Sequence, residues 1–183
     1  MTGSGADFTA EEGYIAGAKK DSQSITSDWQ PLQDLIDGVV VREVKNVPRR
    51  GGGYLTEVFR GEWKLDDVGV EQVFQSVLEP GQTSAWHVHR GTTDRLFVNW
   101  GTLAIVLYDA RARSRTFGRV NEFCLGTGRP AVVSVPPGVW HGVRNRGNQL
   151  ASLLNLTDRA YRYEDPDHWR LPTDTPDIPY RFE

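Results

Sequence analysis

Two short segments gather the residues best able to do chemistry. The first runs Gly81-Gln82-Thr83-Ser84-Ala85-Trp86-His87-Val88-His89-Arg90-Gly91-Thr92-Thr93-Asp94. The second runs Val135-Pro136-Pro137-Gly138-Val139-Trp140-His141-Gly142-Val143-Arg144-Asn145. His87 and His89 are two apart, so on an extended strand their side chains share a face. Asp94 follows across a short turn, and a Pro-Pro-Gly turn delivers His141 onto another strand. Two imidazoles at i and i+2, a carboxylate and a distant third imidazole can form the ligand shell of a divalent transition metal. The same groups also suit barrel-lining histidines that hydrogen-bond to one another and to Asp94.

Placing these residues together requires strands. From about residue 37, short stretches rich in Val, Leu, Phe and Tyr recur between Gly, Pro, Asn and Asp. The stretches 38–44, 54–60, 71–78, 84–89, 95–100, 103–109, 120–125, 131–135, 141–145 and 150–157 are the expected strands. Many short strands with no helical pattern between them indicate an all-β sandwich or barrel. Residues 1–30, rich in Gly, Ser, Thr and acids, read as an N-terminal arm with one helix-like patch from Ala10 to Lys20. The barrel is expected over 31–160. A Pro- and Asp-rich tail over 161–183 is expected to pack on it through Trp169, Tyr180 and Phe182. Trp86 and Trp140 each precede a candidate ligand, so alternation turns them to the opposite side, where packing is the expected role. His168, in the tail, reads as structural or exposed.

At 183 residues the chain fits one domain with a sizeable core. A net charge of -3, with no long basic stretch, argues against a nucleic-acid partner. No apolar run is long enough for a membrane helix, and the N-terminus lacks a signal pattern. The single Cys124 excludes an internal disulfide framework and suits the cytoplasm. Lying between Phe123 and Leu125, it reads as a small buried hydrophobe.

The two segments resemble the cupin signature, G-x5-H-x-H-x4-E-x6-G followed by P-x-G-x2-H-x3-N. Gly81, His87, His89, Asp94 and Gly101 match the first half, with Asp94 where the family has Glu. Pro136, Gly138, His141 and Asn145 match the second. The resemblance implies a cupin jelly-roll barrel in which His87, His89, Asp94 and His141 hold one Fe, Mn, Ni or Zn ion per chain. It points to a metal-dependent isomerase or oxygenase acting on a small polar, carbohydrate-derived substrate.

A second resemblance spans about Val39 to Trp169, to dTDP-4-dehydrorhamnose 3,5-epimerase, a metal-free member of the same superfamily. It rests on Arg50, Gly51, Tyr54, Glu57, Phe59, Arg60, Asp109, Arg111, Ser114, Thr116, Phe117, Gly118 and the Val135–Gly142 segment. It implies His87 as catalytic base, His141 as a second pocket histidine, and Arg95 in place of a catalytic lysine. Arg60, Glu57 and Tyr108 are the candidate substrate-binding residues, and Asp94 joins the catalytic candidates. Four positions depart from that family. Its phosphate-holding arginine is Ser84, and the Gln after the base is His89. Its catalytic tyrosine, due near Leu154 or Asn155, is missing, and its S-x-x-D aspartate is replaced at best by Asp174 or Asp177. These departures favour the metal-dependent enzyme, with the metal-free epimerase and a non-catalytic ligand-binding cupin as alternatives. Related barrels pair near their N-terminal strands, so a homodimer is expected.

Overall fold

The computed structural model describes residues 9–28, 32 and 34–182. Contacts divide the chain into a segment ending at Asp34 and a body from Leu35 onward. In the first segment, the helix-like patch reduces to one 3₁₀ turn, Ala10–Glu12. The Thr9 amide and hydroxyl both donate to the Glu12 carboxylate, and Gly13 ends the turn at φ 97°.

Among the described residues the body has twelve strands. They are β1 (Val40–Glu43), β2 (Asn46–Pro48), β3 (Tyr54–Thr56), β4 (Gln72–Leu78), β5 (Thr83–Val88) and β6 (Asp94–Trp100). There follow β7 (Thr102–Asp109), β8 (Val120–Gly126), β9 (Ala131–Val135), β10 (Val139–Asn145), β11 (Ala151–Thr157) and β12 (Trp169–Arg170). One antiparallel sheet has the order β1-β9-β6-β11-β4 and the other β12-β5-β10-β7-β8, with β2 and β3 as a separate hairpin. This is the expected all-β jelly-roll architecture.

Both sheets turn alternate residues toward one core. Leu96 and Val98, Leu103, Ile105 and Leu107, Phe123 and Leu125, and Val133 and Val135 all meet there, each nearly or fully buried. Removing these branched side chains from water supplies the main stabilisation, at roughly 1.5–3 kcal/mol for each one fully buried. The same alternation corrects the reading of Cys124: between inward Phe123 and Leu125 it must point out, and it is exposed. The stretch 54–60 keeps strand geometry only to Thr56, and a 3₁₀ turn follows at Gly61–Trp63. β2 and β12, both short, were not among the expected strands.

The chain after β12 packs on the outer face of the second sheet. Trp86 is fully buried there among Val106 and Ile178, with the Phe182 ring 4.9 Å and the Tyr180 ring 6.1 Å away. Trp140 packs against the same cluster. Both tryptophans therefore face away from the histidines, as alternation requires.

Asp109 ties the long β7–β8 connection. Its carboxylate accepts from Arg111 Nε (2.8 Å), the Ser114 hydroxyl (2.6 Å) and the Thr116 hydroxyl (2.6 Å). Burial opposes ionisation, yet these donors hold the carboxyl well below the usual range. A depressed carboxyl pKa stabilises the fold above about pH 4, and that stability is lost as pH falls through the folded value. Asp109→Ala should cost about 3 kcal/mol in urea unfolding at neutral pH. The difference from wild type should shrink in acid, where the wild-type carboxylate also becomes protonated.

Candidate functional site

β5, β10 and β12 lie side by side, and their register sets the site. His141 is directly opposite His87, and Arg170 pairs with His87 from the other side. The β5–β10 ladder shifts register between His141 and Val143. This irregularity surrounds Gly142, where a Cβ would sit 2.3 Å from Ala85 Cβ and 3.0 Å from the Phe182 ring. Only glycine lets the two histidine-bearing strands approach this closely.

All four histidines gather in one cavity of about 980 Å³. The His87 ring centroid lies 4.8 Å from His168 and 5.9 Å from His141, and His89 lies 5.0 Å from His168 and 5.4 Å from His141. On β6, Asp94 faces the same way as Leu96 and Val98 and is almost wholly buried. Asn155 of β11 donates to Asp94 Oδ1 at 2.7 Å. Asp94 Oδ2 lies 3.2 Å from His89 Nε2 and 3.4 Å from His141 Nε2.

Asp167, on the segment leading into β12, fixes the other side of His89. Its carbonyl accepts from His89 Nδ1. Its carboxylate accepts from the Arg90 and Gly91 amides (2.7 and 2.8 Å) and the Thr92 hydroxyl (2.7 Å). Both His89 nitrogens thus face acceptors, an arrangement that suits the doubly protonated ring.

The electrostatics divide the four imidazoles. Burial would lower His89, but its contact with Asp94 and that carboxylate's charge raise it above the ordinary value. Burial works against Asp94 as well, yet the His89 contact, the nearby His141 and Asn155 hold its carboxyl at about 2. Burial, then His141, His168 and Arg170, push His87 down to about 3. Burial also lowers His141, and His168 falls to about 4. One ion pair, His89 with Asp94, therefore sits among three neutral imidazoles.

Several expected site residues lie elsewhere. Arg95, adjacent to Asp94 on β6, points to the opposite face and is fully buried. It bonds Asp66, the Val68 carbonyl (2.8 Å) and the Gly69 carbonyl (3.0 Å), so it fastens the loop before β4. Arg60 and Glu57 are exposed, pair with each other and do not line the cavity. Tyr108 packs in the Trp86 cluster on the outer face of its sheet. His168 was read as structural or exposed, but it lines the cavity. Its Nε2 is buried without a hydrogen-bond partner among the described residues.

The four-residue metal shell does not form as expected. His89, Asp94 and His141 offer donor atoms within 4.8 Å of one another, but His87 stands outside that set. Its Nε2 lies 3.4 Å from the Arg170 guanidinium and 3.5 Å from the Ser84 hydroxyl. A fixed cation beside a would-be ligand opposes binding of a second cation. With His89 Nδ1 also held by the Asp167 carbonyl, these residues do not fit the expected four-ligand metal centre.

No protein-family model matches the chain. It is 35% identical over 141 residues to a probable low-salt glycan biosynthesis epimerase, Agl13, of Haloferax volcanii, covering 76% of this chain and 89% of that one. It is 30% identical over 148 residues to the spore coat polysaccharide biosynthesis protein SpsL of Bacillus subtilis, covering 81% and 97%. Among solved structures, a dTDP sugar isomerase from Desulfovibrio desulfuricans G20 superposes with a TM-score of 0.74 at 28% identity, covering 80% and 92%. These relatives overturn the metal-dependent isomerase or oxygenase and its Fe, Mn, Ni or Zn ion, and they agree with the metal-free epimerase alternative.

Gly142→Ala should drive β5 and β10 apart and cost about 1–3 kcal/mol by overpacking. Thermal unfolding will measure the loss, and the histidine ring resonances in NMR should shift together as the cluster loosens. The barrel and the match at 35% identity over three quarters of its length establish that this chain belongs to the family of the glycan biosynthesis epimerase Agl13, built on the cupin barrel.

Proposed function

We propose that the protein is a metal-independent epimerase that inverts a carbon next to the keto group of a nucleotide-activated deoxy sugar. The observation that carries this reading is the neutral His87 imidazole opening into a large cavity beside the His89–Asp94 ion pair. Removing a proton next to a carbonyl needs a neutral base and a positive group for the developing enolate oxygen. His87 is the base in this reading, and the carbon–hydrogen electron pair passes into the enolate as its ring takes the proton. The charged His89 faces the enolate, and Asp94 and Asp167 hold that ring in place. A solvent water entering the cavity gives a proton to the opposite face of that carbon, and His87 passes the proton it took to the hydroxide left behind, which completes the inversion. Asp94 acts by stabilising the imidazolium, not as a proton carrier, because its own pKa is so low.

The single thiol fits a reducing cytoplasm. The expected homodimer belongs to the same proposal and draws support from β4. That strand is a sheet edge with Val73 and Val77 each 54% exposed, and such an edge is commonly covered. Light scattering should give twice the chain mass, and Val73→Lys with Val77→Lys should return it to that of one chain.

A dTDP-4-keto-6-deoxy sugar incubated with the protein should yield its epimer, read by NMR. His87→Asn should lower kcat about 1,000-fold. His89→Gln removes the positive charge that faces the enolate, and kcat should fall about 100-fold. Prolonged chelation should leave activity and melting temperature unchanged. Loss of activity in the chelated wild-type protein, restored by an added transition metal, would contradict the reading. Because His87 is neutral well below the ordinary value of 6.5, kcat/KM should show no acid limb near that pH.

A further inference from the structure

The cavity is lined by four arginines, Arg90, Arg159, Arg162 and Arg170. None has a carboxylate partner among the described residues, whereas Arg60, Arg95, Arg111, Arg115, Arg129 and Arg146 each do. Three carboxylates share the cavity; Asp165 pairs with none of these arginines, and the other two are committed. Asp167 already accepts from two amides and a hydroxyl, and Asp94 is enclosed by Asn155 and the histidines. In a chain whose formal net charge is -3, unpaired guanidiniums converging on one cavity mark a site for an anion.

Arg170 has the most informative position. It stands opposite His87 in the β5–β12 ladder, with its guanidinium 3.4 Å from His87 Nε2. The Ser84 hydroxyl reaches the same nitrogen at 3.5 Å. Residues 84 and 170 thus abut one histidine from two neighbouring strands, and the cation stands on the second of them. Guanidinium groups bind phosphate oxygens through paired donors, so one arginine here can fix the orientation as well as the charge of a diphosphate.

We propose that Arg170, helped by Arg159 and Arg162, is the diphosphate grip of the site, so that substrate is held by the C-terminal strap (residues 158–182) and not by β5. The inference rests on the sugar-nucleotide reading above. A diphosphate on Arg170 sets the attached sugar beside His87, which makes this arginine a determinant of substrate specificity. It also gives the strap a function: the segment that closes the cavity is the one that recognises the ligand's charge.

Calorimetric titration of the full chain with dTDP, inorganic pyrophosphate and thymidine tests this. Arg170→Gln should weaken dTDP and pyrophosphate about 10- to 100-fold, leave any thymidine binding unchanged, and leave the melting temperature near wild type. Adding Ser84→Arg to Arg170→Gln should restore most of the lost affinity, because the new cation reaches the same histidine from β5. Arg170→Gln binding dTDP as tightly as wild type would overturn the proposal. So would a wild-type protein that binds neither dTDP nor pyrophosphate. A wild type that binds pyrophosphate through Arg170 but no nucleotide sugar would uphold the arginine site and overturn the sugar-nucleotide reading instead.

Discussion

The site depends on one buried negative charge. Asp94 sits inside the barrel with a single neutral donor, Asn155, and two imidazoles at ion-pair distance. An isolated carboxylate at that depth would be too costly to keep ionised, so a positive partner must accompany it. His89 supplies that charge, and its other nitrogen is then free to donate to Asp167. The nearby histidines must remain neutral, since a second imidazolium would be repelled by the first. The division into one charged and several neutral rings follows from burying that carboxylate.

The Asp167 contact links this charge to the C-terminal strap. Its carbonyl meets His89 while its carboxylate gathers the amides of the β5–β6 connection. The next residues bring His168 into the cavity and pair Arg170 with His87. Farther on, Tyr180 and Phe182 anchor the strap on Trp86, directly behind the site. Packing on one face of β5 therefore fixes what stands on the other. Gly142 permits the arrangement by letting β10 approach the same strand.

Much of this was legible in the sequence because strands repeat every two residues. The spacing of His87 and His89, the Asp94 turn and the distant His141 were enough to bring four residues into one cavity. The same rule places Trp86 and Trp140 outward. Applied more strictly, it would also have turned Arg95 away from Asp94 and Cys124 away from Phe123. Arg60 and Glu57 came from family positions, and family position carries no information about which way a strand of this chain faces. His168 was invisible to local reading, since its place depends on a two-residue strand pairing about eighty residues back in the chain. The metal expectation followed from ligand types, their spacing and the cupin signature; what it lacked was the guanidinium beside His87 and the Asp167 carbonyl that holds His89.

The central claim is that neutral histidine chemistry, with no metal, moves a proton at carbon. The most direct measurement is proton NMR of a dTDP-4-keto-6-deoxy sugar in D2O with chelator-treated wild-type protein. The account predicts that deuterium replaces hydrogen on a carbon next to the keto group at the full catalytic rate. Absence of exchange, or exchange that disappears on chelation and returns with an added transition metal, would contradict it.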